Sequence, residues 1–216
     1  MSLIAKAETK SAGSFTPVPV GMHLARCFRV IDLGTQKSFY QGAEKFNRKV
    51  LIQFEIHSED AQGRPLLTEK GEPLSIAKRY TLSLNEAATL CKDLESWRGA
   101  TFTKEERSGF NLEKLLDRWA MLNVTKSTGN DGKEYTNIET INPVPAQIKK
   151  AGLPEAHNDT LIYSIDNSGQ DVFDKLSDGV KKTIMASPEW QEKAAKKGSD
   201  PIADAFADLE YKNEPF

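Results

Sequence analysis

Apolar and polar residues alternate along much of the first 145 positions, and this period of two predicts strands. The run from His23 to Leu33 is long and rich in β-formers, and Gly34 is its expected end. Val50, Ile52, Phe54 and Ile56 then fall on one face of a second strand, with Gln53, Glu55 and His57 on the other. Residues 58–73, with Asp60, Gly63, Pro65, Gly71 and Pro73, carry hairpin-loop chemistry. Residues 74–82 form a third strand, with Ile76, Lys78, Tyr80 and Leu82 on one side and Ala77, Arg79 and Thr81 on the other. The period then lengthens to that of a helix. Ala87, Leu90, Cys91, Leu94 and Trp97 lie at helical spacing, with Asn85 as N-cap, Glu86 in the first turn and Gly99 as the stop. A second helical piece starts near Asn111, striped by Leu112, Leu115 and Leu116. Alternation returns at residues 119–127 and 135–141, separated by the turn of residues 129–132, and Pro143 and Pro145 close the domain.

Three strands, a helix and two strands within about 120 residues is the order of an OB-fold. The expected fold is therefore mainly β: a five-stranded barrel with its helix between the third and fourth strands. It occupies residues 21–145, behind an N-terminal arm of residues 1–20 that ends in Pro17 and Pro19. Residues 146–197 read as a linker around residues 148–154, one short strand at 161–165 and a short helical extension containing Val180, Ile184, Met185 and Trp190. This extension has too few apolar residues for a core of its own, so it packs on the barrel or on another subunit. Residues 198–216 read as a disordered acidic tail.

Charge modifies this picture locally. The formal net charge of the 216 residues is −2, so any surface for nucleic acid is confined to a patch. No apolar run approaches the roughly 20 residues of a membrane helix, and no membrane association is expected. Cys27 and Cys91 form neither a disulfide framework nor a ligand pair, which fits a reducing, cytoplasmic setting.

The patch is read in residues 36–49, taken as a loop, where Lys37, Lys45, Arg48 and Lys49 surround Phe39, Tyr40 and Phe46 against one acid, Glu44. Cations replace counterions along phosphates, and flat rings stack on unpaired bases. The strand bearing Lys78, Arg79 and Tyr80, and the hairpin bearing Lys126, Lys133 and Tyr135, show the same pairing of charge and ring. Strand alternation separates Lys78 from Arg79, and Tyr80 shares its side with Ile76 and Leu82, a core position. The alternative for the first loop is that its rings pin it to the barrel. In the tail, Asp204, Asp208, Glu210 and Glu214 lead to Pro215 and Phe216. Such a peptide suits a partner that has a pocket for the ring and a cation for the terminal carboxylate.

Catalytic chemistry has no visible seat. His23, His57 and His157 are scattered, no phosphate-cradling glycine motif occurs, and neither metal site nor cofactor site is indicated. Trp97, Trp119 and Trp190 fall in apolar patterns and read as core or interface.

Pro17-Val18-Pro19-Val20-Gly21-Met22-His23-Leu24-Ala25-Arg26, continuing through Cys27 to Gln36, resembles a family of phage and prophage replication proteins with an OB-fold. So do Lys78-Arg79-Tyr80-Thr81-Leu82-Ser83-Leu84 and Lys92-Asp93-Leu94-Glu95-Ser96-Trp97-Arg98-Gly99. The Glu214-Pro215-Phe216 ending is similar to the acidic tip of bacterial and phage single-stranded DNA-binding proteins, although here Ala and Leu space the acids and Lys212 interrupts them. The resemblance implies a non-enzymatic protein that coats single-stranded DNA during replication or recombination in an infected or lysogenic bacterial host. It further implies recruitment of replication or recombination enzymes through the tail. The alternative is a replication adaptor or initiation factor acting mainly through protein contacts. Homo-oligomer formation is left open.

Overall fold

The computed structural model describes residues 16–40, 42–129 and 132–196, with the backbone alone for Tyr40 and Lys196. The N-terminal 15 residues and the acidic tail, with Asp204, Asp208, Glu210, Glu214, Pro215 and Phe216, lie outside the described residues.

One strand organises the chain. β1 spans Gly21–Tyr40, 20 residues, and pairs antiparallel with β2, Ala43–Ile56, over its full length from Ala25. The expectation that β1 ends at Gly34 is corrected. Register shifts between Cys27 and Arg29 and between Asp32 and Gly34 bend the strand without interrupting it, as an extra residue on one side of a ladder does. Gly34 takes a left-handed φ of 68° at the second bend. Residues 36–49 are accordingly the arms of a hairpin rather than a loop.

β3 (Ser75–Thr81), β4 (Trp119–Thr128) and β5 (Glu134–Asn142) complete the antiparallel set in the order β3-β2-β1-β4-β5. The first bend lets β1 change neighbours. Gly21–Arg26 pair with β4, whereas Arg29–Ile31 pair in parallel with β6, Leu161–Tyr163. The result is a six-stranded, mainly antiparallel sheet.

One side of the sheet carries the main core. Val50, Ile52, Phe54 and Ile56 of β2, Ile76 and Tyr80 of β3, and Leu122, Val124, Ile138 and Ile141 of β4 and β5 bury there. Leu90, Cys91, Leu94 and Trp97 of α1, Thr89–Arg98, close it. Gly99 ends this helix in the left-handed conformation, as its sequence position predicts. The expected N-cap differs. Asn85 is spent on a local turn, accepting from Ala87 N and, through its carbonyl, from Ala88 N, so α1 begins only at Thr89. α2, Lys104–Ser108, starts on a reciprocal capping box between Thr103 and Glu106, and Asn111 caps a 3₁₀ turn at Leu112–Leu115.

The stretch read as a linker, around residues 148–154, overlaps α3, Ala146–Ala151. Beyond it, β6 leads into α4 (Gln170–Asp174), α5 (Asp178–Met185) and α6 (Pro188–Lys196). These elements form a second core against the sheet: Ile31 and Leu33 of β1 pack with Tyr163, Ile165, Phe173, Leu176 and Ile184. Trp190 stacks on Phe173 at 4.4 Å between ring centroids. The extension thus solves its shortage of apolar residues by borrowing the outer face of β1.

Candidate nucleic-acid interface

The β1–β2 hairpin sets the geometry. Lys37 lies opposite Phe46, and Phe39 opposite Glu44. Directly opposed residues share a face, as do alternate residues along one strand, so Lys37, Phe39, Glu44 and Phe46 form one surface. Phe39 is 69% exposed and Phe46 63%. The Lys37 ammonium sits 5.3 Å from the centre of the Phe39 ring and pairs with Glu44. These rings do not pin the hairpin to the core; they stand in water beside a cation.

Alternation sends two further cations of β2 to the other side of the ribbon. Lys45 and Lys49 occupy that side of β2, and Arg79, opposite Leu51 on β3, joins them. Lys49 donates to Thr81 Oγ1 at 2.7 Å. Lys45 and Arg79 are exposed. The backbone of Tyr40 belongs to the same hairpin, opposite Ala43.

Three residues chosen from sequence have structural tasks instead. Tyr80 is 3% exposed and donates to Asp93 at 2.7 Å, so it is a core residue and offers no face to a base. Lys78 donates to the same carboxylate at 2.7 Å and to the Glu139 carbonyl at 3.3 Å, tying β3 to α1 and β5. Arg48 grips Asp32 through Nε at 3.1 Å and Nη2 at 2.5 Å, and reaches Asp166 at 2.7 Å. Donation to these carboxylates raises the guanidinium pKa further above its ordinary value, Asp32 contributing most. Arg48→Ala is expected to cost about 1–3 kcal/mol of stability by leaving the Asp32 carboxylate unpaired. It should leave the salt dependence of oligonucleotide binding unchanged, and a fluorescence titration beside a urea melt checks both.

Lys126, Lys133 and Tyr135 lie on the β4–β5 hairpin. Lys126 pairs with Glu134 at 2.9 Å, while Tyr135 lies opposite Ser127 and so on the other face. Gly21 pairs with Val124, so this hairpin continues past the start of β1, whereas Phe39 and Phe46 stand near its other end.

A cavity of about 520 Å³ lies elsewhere again, between α1, α2, the 3₁₀ turn and the start of β4. Trp97, Phe102, Phe110 and Trp119 line it, with Arg98 and Lys114 among the charged groups. Sequence reading passed over it because its rings come from four separate segments. Among the described residues, no three His, Cys, Asp or Glu side chains are placed to hold a metal ion, and no helix is long and apolar enough to cross a membrane. No protein-family model matches this sequence, and comparison with curated proteins finds none similar to it.

Proposed function

We propose that the protein binds single-stranded DNA through the β1–β2 hairpin, coating unpaired strands with little sequence preference. The observation that carries this reading is the pair of exposed rings, Phe39 and Phe46, on one face of a ribbon with Lys37 between them. Large aromatic side chains left in water gain free energy when a flat, apolar partner covers them, and each nucleotide brings such a face together with a charge that a lysine attracts. Lys45, Lys49 and Arg79, on the reverse of the same ribbon, supply cations for the continuing backbone. The strand order, the helix between β3 and β4 and the Lys78 link from β3 to β5 support an OB-type closed barrel beneath the hairpin. Recruitment of replication or recombination enzymes by the acidic terminal segment is the second half of the proposal.

Titration with oligo-dT at several salt concentrations tests it. Tight binding is expected, with log affinity falling by about 0.7 for each phosphate neutralised per log unit of salt. Phe39→Ala and Phe46→Ala should each weaken binding by about 1–3 kcal/mol while leaving the thermal midpoint in place, because both rings are exposed. Wild-type affinity in both variants would remove the hairpin from the interface. Weak binding by the unaltered chain would favour an adaptor that works through protein contacts.

A further inference from the structure

Arg29 projects from β1 into a cavity of about 470 Å³ formed with Asn158, Asp159, Thr160, Leu161, Ile162, Val172 and Lys175. Its guanidinium lies 5.1 Å from the centre of the Phe28 ring, which is itself buried and fixes the position of the fork. Its Nε is buried without a hydrogen-bond partner. Two neighbouring arginines of the same sheet show what a protein does with such a group: Arg26 has Glu55 and Asp117, and Arg48 has Asp32 and Asp166. Arg29 has no ion pair among the described residues, although Asp159 lines the same cavity. Burial disfavours its charge and lowers its pKa from the ordinary value. A buried N–H with no acceptor costs about 1–3 kcal/mol, so an orphan of this kind asks for an explanation.

We infer that Arg29, with Lys175 and the Thr160 hydroxyl, is a binding site for a phosphate oxyanion. The planar fork can donate to two oxygens of one phosphate, which a lysine cannot do alone. Lys175 and Thr160 line the cavity as further donors, and its two cations outnumber the single carboxylate of Asp159. The wall is completed by residues of the C-terminal extension, so ligand and extension are held together. The inference extends the nucleic-acid reading, since a backbone phosphate supplies the oxyanion, but the site serves equally for free phosphate.

Thermal unfolding of the full chain in sodium phosphate and in sodium chloride at equal ionic strength separates the site from that reading. Phosphate at ten times its dissociation constant should raise the wild-type midpoint by about 3–6 °C and should leave Arg29→Gln unshifted. Because the readout is the difference between two salts, a lower absolute midpoint of the variant does not obscure it. No phosphate-dependent shift in the wild type, or an equal shift in Arg29→Gln, overturns the site. A second arm, oligo-dT titration, identifies the source. A salt slope lower by about 0.7 in Arg29→Gln places a strand phosphate there. An unchanged slope beside a lost phosphate shift makes free phosphate the ligand. Failure of the wild type to bind oligo-dT would remove the DNA reading and leave the midpoint comparison to judge Arg29.

Discussion

Glu55→Ala is expected to lower the stability of the fold by about 3–5 kcal/mol, the cost of leaving one member of a buried ion pair alone. Glu55 is 0% exposed and its cross-strand neighbour Arg26 2%. The carboxylate accepts from Arg26 Nε at 2.7 Å, from His157 N at 3.1 Å, and from Asn158 N at 2.9 Å and Nδ2 at 2.6 Å, and it lies 2.8 Å from His57 Nε2. Truncation leaves Arg26 with Asp117 as its one carboxylate, and leaves its Nε and several backbone and amide N–H donors without their acceptor in a buried site. It also cuts the link by which residues 157 and 158 hold the C-terminal extension to β2. For a chain of this size the unfolding midpoint should fall by on the order of 10 °C, and limited proteolysis should find the 152–162 region first.

The same carboxylate predicts how stability depends on acid. Burial alone pushes the Glu55 pKa up, but hydrogen bonds from Arg26, His57 and Asn158 more than offset it and hold the group at about 2. A carboxyl that titrates lower folded than unfolded stabilises the native state fully above its unfolded value, near 4.5, and loses that contribution as pH falls toward 2. Wild-type midpoints should therefore drop steeply across this window. Glu55→Gln, already destabilised at neutral pH, should show a flatter curve. Parallel curves for the two proteins would show that another group governs the acid limb.

The strands of the main core are legible because burial on one face writes itself into the sequence as alternation: Val50, Ile52, Phe54 and Ile56 are read from period alone and are all buried. Pairing is not legible in this way. Alternation says which residues share a face but not what lies opposite, so Arg48 reads as a free cation until the fold brings Asp32 and Asp166 to it from 16 and 118 positions away. The hairpin of residues 36–49 reads as a loop for a related reason. Both of its faces are wet, so Lys37, Phe39 and Phe46 need not follow an apolar rhythm. Glu55 and Arg26 sit at polar positions of their strands, and only the return of residues 157 and 158 over that face buries them. The Thr103–Glu106 capping box was readable from its spacing, since Thr and Glu three residues apart are its signature.

Gly34→Ala should cost about 2–4 kcal/mol and act on the C-terminal helices rather than on the main core of the sheet. Gly34 holds a φ of 68°, where any other L-residue pays about 1 kcal/mol or more. A Cβ built there would lie 2.5 Å from both Cβ and Oγ of Ser187 and 2.8 Å from Ile165 Cδ1. Ser187 cannot yield easily. It is fully buried, its hydroxyl donates to the Ile184 carbonyl at 2.6 Å and accepts from Trp190 N at 3.3 Å, and so it fixes the junction of α5 and α6. Overpacking of this kind costs about 1–3 kcal/mol. The two residues after Gly34 hold the same helices: Thr35 N donates to Glu189 Oε2 at 2.9 Å, and Gln36 Nε2 to the Thr183 carbonyl at 3.0 Å. An alanine that pushes Ser187 away therefore loosens α5 and α6 together and separates Trp190 from Phe173. The expected signature is a red-shifted tryptophan emission and early proteolysis within residues 178–196, with oligo-dT affinity little changed because Phe39 and Phe46 lie outside this contact. Adding Ser187→Gly to Gly34→Ala removes the closest clash and should recover part of the loss, leaving the backbone term. An additive double mutant, with no coupling between positions 34 and 187, would show that the helices do not seat on β1 at this glycine.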